Sequence, residues 1–530
     1  MTRIDARTLR TWIEDGQELA VLDAREEGEF GASHLFWAVP CPLSRRELRA
    51  RALLPRLGTR IVCVDDGRGV ARQLADYLES IGCGAVSVLD GGTPAWTAAG
   101  HVLFSGVNVP SKAFGEWVEH HYGTESVDAP ELKAWIDDGR NMVVLDSRTA
   151  EEFARMAIPT GISVPGGELA YRIGDIAPNP DTLVVVNCAG RTRSILGAES
   201  LRRAGIPNKV VALRNGTMGW ELAGLTCERG RTERFAPSLP RTAALALERA
   251  KAFAEQSGVG VIGAIDLARF EDDPDRTLYV LDVRDPAEFR AGHRPGSRNA
   301  PGGQLVQATD QWIAVRGARI VLLDDTGVRA RMAAAWLRLM GHRDVFVVEG
   351  GLDEVRETGT AIVPVPELGL AVPLIDVPGL VRLLDAGDGT VVVDLARSLD
   401  YRDGHIPGAR WGIRTRLAAL GKPLALARHV VLTSPDGVLA RLAVDEVRGL
   451  SAAEVRVLAA GTEAWQAFGR PLVKDRSTPP DADCVDVSLR PYDRNSGTAA
   501  AMQAYLDWEI ALVDEIVRDG SVRFGVDAVA

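Results

Sequence analysis

The stretch best equipped for chemistry is Asn187-Cys188-Ala189-Gly190-Arg191-Thr192-Arg193-Ser194. Cys188 follows the apolar run Leu183–Val186 after the single residue Asn187. A helix begins near Arg193, with Ile195, Ala198, Leu201 and Ala204 on one face before Gly205 stops it. A thiol placed there faces the N–H groups of a helix N-terminus and has two guanidinium groups within five residues. These features favour the thiolate, the nucleophilic form. The same amides and cations suit an anionic substrate and the negative charge that develops on a leaving group.

The remaining reactive side chains read as structural. Cys63 lies inside a strand between Val62 and Val64, and Cys41, Cys83, Cys227 and Cys484 fall outside the loop register. No Cys-x-x-Cys pair or regular spacing suggests disulfides, so free thiols are expected. His120 and His121 are adjacent on a predicted helix and point different ways, and neither a metal site nor a cofactor is expected. Arg172 is a candidate for the rim of the pocket.

The elements that position Cys188 recur. A β-branched run ending in Asp appears at Asp23, Asp146, Asp282 and Asp394. The first three continue as Asp-x-Arg-x-x-x-Glu-Phe, and the Asp and Arg are expected to pair. A second apolar run follows in each unit (61–64, 183–186, 320–323, 430–432), then a Gly-containing loop, a helix and a third strand. A Gly-rich corner closes each unit: SVLDGGTPAW, VALRNGTMGW, FVVEGGLDEV and RVLAAGTEAW. Short apolar strands alternating with helices predict an α/β fold of four tandem domains, each a mainly parallel sheet flanked by helices.

The expected units are 1–107, 121–232, 250–363 and 373–474, joined by Pro-, Gly- and charge-rich stretches such as GVNVPSKAFG, with a docking extension at 475–530 carrying one helix near Thr498–Arg518. Counting back from the corners (Trp96, Trp220, Val355, Trp465) sets Asp66, Asp325 and Ser434 at the position of Cys188. Only the second unit then keeps a nucleophile. An Asp in this place would itself act as an anion in the amide cradle.

Composition limits the partners. With 61 Lys+Arg against 72 Asp+Glu the net charge is −11, which argues against a nucleic-acid or anionic-membrane partner. No apolar run approaches the ~18 residues that span a bilayer, and the charged start lacks a secretory pattern, so a cytoplasmic protein is expected.

On the Asp-x-Arg-x-x-x-Glu-Phe motif, GHIPGA at 404–409, the loop 188–193 and the Gly216–Trp220 corner, the chain resembles multidomain rhodaneses of the thiosulfate sulfurtransferase type over residues 1–474. The resemblance implies that Cys188 forms a persulfide. Ala189, Gly190, Arg191, Thr192 and Arg193 would bind the substrate, a small anionic sulfur donor whose sulfur passes to a thiophilic acceptor such as cyanide or a thiol. Arg stands third and fifth after the cysteine, not sixth as in related cysteine phosphatases. The loop also differs from the small neutral one of mercaptopyruvate-specific relatives, which remain the second enzymatic alternative. RMAIPTG departs from the Gly-His-Ile-Pro-Gly stretch of relatives and leaves the pocket wall open. A carrier or redox-sensing module delivering sulfur to a protein acceptor is the main alternative, and a homodimer is compatible with either.

Overall fold

The computed structural model describes residues 2–352, 357–361, 363–369 and 371–525. Four sheets are present among them, with one strand order. In the second unit the order is Ser126–Val127, Val210–Leu213, Leu183–Asn187, Met142–Asp146, Ile162–Ser163, and every pairing is parallel. The third and fourth sheets repeat this order around the central strands Arg319–Leu323 and His429–Thr433. Helices cover both faces, which is why the strands are almost uniformly apolar and buried: all five residues of Leu183–Asn187 are inaccessible.

The first sheet differs in one respect. The strand Val315–Arg316 from the third unit pairs antiparallel with Leu19–Asp23 and extends it. Nothing in the local sequence announces this, because a two-residue strand carries no readable period. The same two units are joined by Glu18, whose carboxylate accepts from the Thr277 N–H and hydroxyl and from Arg276 and Arg56.

The Pro-, Gly- and charge-rich stretches expected at the unit boundaries are partly helical and buried. GVNVPSKAFG runs into the helix Val109–Tyr122, which buries Val109, Ala113, Phe114 and Val118. The boundary expected at 250 cuts through the helix Ala243–Gln256. Both helices feed one apolar core shared by the first three units, in which Trp336 packs edge-on to Phe114 and Phe253 at 5.9 and 5.2 Å. The units are therefore cemented together, not strung as beads. Between the first and fourth units the buried Arg414 is bidentate on Glu47 at 2.8 and 3.0 Å. The C-terminal helix spans Thr498–Asp519 and docks on the helix Val109–Tyr122. Among the described residues no helix is long and apolar enough to cross a membrane.

The repeated Asp-x-Arg motif has one structural task. Arg25, Arg148 and Arg284 each bond both carboxylate oxygens of the Asp two residues earlier and donate to a carbonyl eight residues ahead, of Ser33, Met156 and Gly292. The fourth unit has Ala396 in the Arg position. There Asp394 is left with one buried unpartnered oxygen, and burial pushes its pKa up to about 6.

The second and third units meet backbone to backbone. A Cβ on Gly303 would stand 2.8 Å from the Gly167 nitrogen and 2.9 Å from that of Gly166. Gly303→Ala is therefore expected to force the two units apart and destabilise the fold by about 1–3 kcal/mol. A lower denaturant midpoint is the readout, and an unchanged midpoint would show that the contact yields freely.

Candidate active site

Cys188 sits where the central strand Leu183–Asn187 ends and the helix Thr192–Arg203 begins. Three constraints fix it. Asn187 Nδ2 donates to Asp146 Oδ2 at 2.9 Å and ties the strand end to the motif carboxylate. The Cys188 and Ala189 carbonyls accept from the N–H groups of Thr217 and Met218 at 2.9 and 3.0 Å. Gly216 makes that approach: its φ is +53°, and a Cβ there would lie 2.2 Å from the Cys188 oxygen. The thiol donates to Ser194 Oγ at 3.5 Å, and the Ser194 hydroxyl donates onward to the Arg191 carbonyl at 2.8 Å. Among the described residues, the N–H groups of Ala189, Gly190 and Arg191 donate to no protein acceptor. They remain available to an anion at the thiol.

The other three loops show what such amides do when nothing must enter. Asp65 Oδ1 accepts from the Gly67 N–H at 2.8 Å, and its Oδ2 accepts from Gly69 and Ala71 at 2.8 and 3.0 Å. Asp324 likewise takes the N–H groups of Gly327 and Arg329 at 2.7 and 3.0 Å, and Ser434 Oγ takes that of Ala440 at 3.3 Å. This corrects the expected alignment by one residue. Asp23 pairs with Val64, Asp146 with Asn187 and Asp282 with Leu323. The equivalents of Cys188 are thus Asp65 and Asp324, not Asp66 and Asp325, while Ser434 stands as expected. Counting back from the corner slipped because the loops differ in length, and in the third unit the corner residue Val355 lies outside the described residues. Asp66 faces Arg68 at 2.8 Å, and Asp325 faces Arg329 at 2.7 Å.

The loop arginines, expected to bind substrate, are engaged by carboxylates. Arg191 is bidentate on Glu116 at 2.8 and 2.7 Å and also touches Glu119. Arg193 is bidentate on Glu152 at 2.7 and 2.8 Å. Burial opposes both cations, but the facing carboxylates outweigh it and raise both pKa values. Burial also opposes the Glu152 charge, and Arg193, Arg490 and Arg148 together hold its carboxyl well below the ordinary range. Glu152 is the Glu of the repeated motif, and the pairing recurs as Glu29–Arg68 and Glu288–Arg329. A Glu in the motif and an Arg in the loop of all three units was the signal that could have revealed it. Glu116 lies on the helix Val109–Tyr122, in a stretch with no local pattern that would place it near the loop.

The cavity over Cys188 measures about 650 Å³. Much of its wall comes from the extension, through Leu489, Arg490, Tyr492, Tyr505 and Trp508, with Gln307 from the third unit and Met156 and Arg155 from RMAIPTG. Glu509, fully buried on the C-terminal helix, accepts from Thr192 Oγ1 at 3.0 Å and pairs with Lys112 at 2.9 Å. A Cβ at position 190 would lie 2.9 Å from its second oxygen, so the loop glycine makes room for this helix. Arg172 is elsewhere: it pairs with Glu168 at 2.9 Å and donates to the Ser238 carbonyl at 2.5 Å. Of the other thiols, burial pushes Cys41, Cys83 and Cys227 up to about 12, 11 and 12 and raises Cys63 and Cys484 as well. They are held as inert thiols. His121 stacks on Trp117 at 4.5 Å, and no group of three or more potential metal ligands is found among the described residues.

The family model described as "Rhodanese-like domain" matches residues 5–99, 128–223 and 266–358, more than half of the chain. The chain belongs to the rhodanese family. A crystal structure described as thiosulfate sulfurtransferase from Pseudomonas aeruginosa superposes with a TM-score of 0.93 at 46% identity, covering 99% of both chains. The tRNA uridine(34) hydroxylases of Erwinia tasmaniensis and Escherichia coli are 29% identical over 117 residues, which is 20% of this chain and 33% of each relative. This rhodanese therefore matches only a third of their length, the extent of a single domain. The fourth unit falls outside the matched segments, yet its sheet keeps the strand order of the other three.

In this rhodanese one cation, Arg191, serves several carboxylates at once. Burial, with Glu509 and Glu119 nearby, pushes the Glu116 pKa up to about 7 despite Arg191. A folded-state value above the unfolded one contributes stability that is full below the ordinary Glu range and is lost as pH rises through about 7. Glu116→Gln is expected to lack this loss. Denaturation midpoints at about pH 5 and pH 8 report it, and equal pH slopes for wild type and variant would contradict it.

Proposed function

We propose that the chain is a sulfurtransferase that moves the outer sulfur of thiosulfate to a thiophilic acceptor through a persulfide on Cys188. The observation that carries this is the contrast between the four loops. One presents a thiol to unengaged amides; in two, Asp65 and Asp324 fill the cradle, and in the fourth the Ser434 hydroxyl takes an amide of the helix start. Similarity to the Pseudomonas aeruginosa thiosulfate sulfurtransferase along almost the whole length supports the same class of reaction.

The chemistry is a double displacement. The Cys188 thiolate attacks the outer sulfur of thiosulfate, a new S–S bond forms, and the bond to the sulfonate breaks with its electron pair leaving on sulfite. Cyanide or a thiolate then attacks the outer sulfur of the persulfide, forming thiocyanate or a new persulfide and returning the Cys188 thiolate. Splitting the transfer lets one nucleophile serve two substrates in turn. The amides of Ala189, Gly190 and Arg191 would stabilise the negative charge on the terminal sulfur. Arg191 and Arg193 would act by fixing the loop on Glu116 and Glu152.

Cys188 is only 2% exposed beneath the extension, which favours a small acceptor over docking of a protein thiol. Metal or cofactor chemistry is not needed for either displacement. Steady-state kinetics with thiosulfate and cyanide should follow a ping-pong pattern, and Cys188→Ala should remove turnover by at least about 10³-fold. Sequential kinetics, or a variant that retains turnover, would count against the persulfide. Gly216→Ala should reduce kcat by roughly tenfold or more by displacing the Cys188 carbonyl, and wild-type kcat in that variant would show the corner does not position the thiol.

A further inference from the structure

Most cations around the cavity are engaged: Arg148 by Asp146, Arg191 by Glu116, Arg193 by Glu152 and Lys112 by Glu509. Arg155, Arg490 and Arg494 stand apart: Arg494 is exposed, and the Arg155 and Arg490 side chains are each 65% exposed. Arg155 lies 3.6 Å from Asp493. Among the described residues the Arg490 guanidinium pairs only with Glu152 Oε1, at 3.5 Å, and that oxygen already accepts from Arg193 at 2.8 Å. A long, exposed ion pair of this kind contributes little. The guanidinium is free to turn to a better partner.

Its backbone, by contrast, is anchored. The Arg490 N–H donates to Asp493 Oδ2 at 3.2 Å and Pro491 is buried. The Tyr492 hydroxyl meets Thr217 Oγ1 at 3.0 Å, and the Thr217 N–H holds the Cys188 carbonyl. The corner that positions the nucleophile therefore also positions Arg490. Its head stands beside Glu152, the partner of Arg193.

We propose that Arg490 binds the sulfonate end of the donor, so that donor specificity resides in the C-terminal extension and not in the rhodanese domain that carries the thiol. The proposal rests on the reading of Cys188 as the sulfur-accepting nucleophile. With the outer sulfur over the loop amides, the sulfonate oxygens point to the mouth, and a guanidinium fork matches such an oxyanion bidentately, which lysine does not. This also accounts for loop arginines that are locked to carboxylates: they shape the cradle, while a cation with spare hydrogen-bonding capacity meets the ligand.

Steady-state kinetics on the full-length protein test it, with Arg490→Ala and Arg490→Lys compared to wild type. Arg490→Ala is expected to raise KM for thiosulfate about tenfold and to weaken inhibition by sulfite similarly, with kcat within about twofold, and Arg490→Lys to recover part of the loss. An unchanged KM, or a fall in kcat without a rise in KM, would overturn the assignment. Failure of the underlying reading shows separately, as a wild-type protein that takes up no sulfur on Cys188 from thiosulfate; that outcome removes this proposal too.

Discussion

A parallel strand that ends under a helix N-terminus leaves a cluster of N–H groups with no partner in either element, and buried donors of that kind must be satisfied. This chain faces the requirement four times. Asp65 and Asp324 answer it with a carboxylate from the loop itself, and Ser434 with a hydroxyl. The Cys188 side chain offers no oxygen to the loop amides, and among the described residues the N–H groups of Ala189, Gly190 and Arg191 are left open to a visiting anion. One open loop beside three whose amides meet a side-chain oxygen follows from that difference in side chain.

Keeping the open loop in shape takes the rest of the molecule. Arg193 is held by the motif glutamate of its own domain, Arg191 by a helix that precedes that domain, and Thr192 by a glutamate more than 300 residues further along the chain. The cavity roof comes from the extension and part of its wall from the third unit. The first and third units therefore support the site physically: they bury the shared core on which the helix Val109–Tyr122 and the C-terminal helix rest. The size of the protein, unexplained by its reaction alone, is explained in part by these contacts.

The fold was legible because its signals are local and repeated. Period, strand composition and the Asp-x-Arg motif each occur within about ten residues, and the C-terminal helix at Thr498–Asp519 is one residue longer than its sequence pattern suggests. The position of Cys188 at a strand end before a helix was equally legible. What was not legible depends on long-range packing. The Glu116–Arg191 pair joins residues 75 positions apart, and Glu509 reaches Thr192 across 317. The slip from Asp65 to Asp66 came from loops of unequal length, which only the strand register resolves. Two adjacent aspartates differ completely in role: Asp65 caps the helix amides, and Asp66 pairs with Arg68 at the surface.

Of the six thiols in 530 residues, Cys188 is proposed to be the one that accepts sulfur, because among the described residues its loop amides are left open. Intact-mass measurement after incubation with thiosulfate and removal of excess reagent tests it most directly, with wild type beside Cys188→Ala. Wild type is expected to gain one sulfur atom per chain, removed by cyanide, and the variant to gain none. A wild-type chain that gains none, or a variant that gains as much, would contradict it.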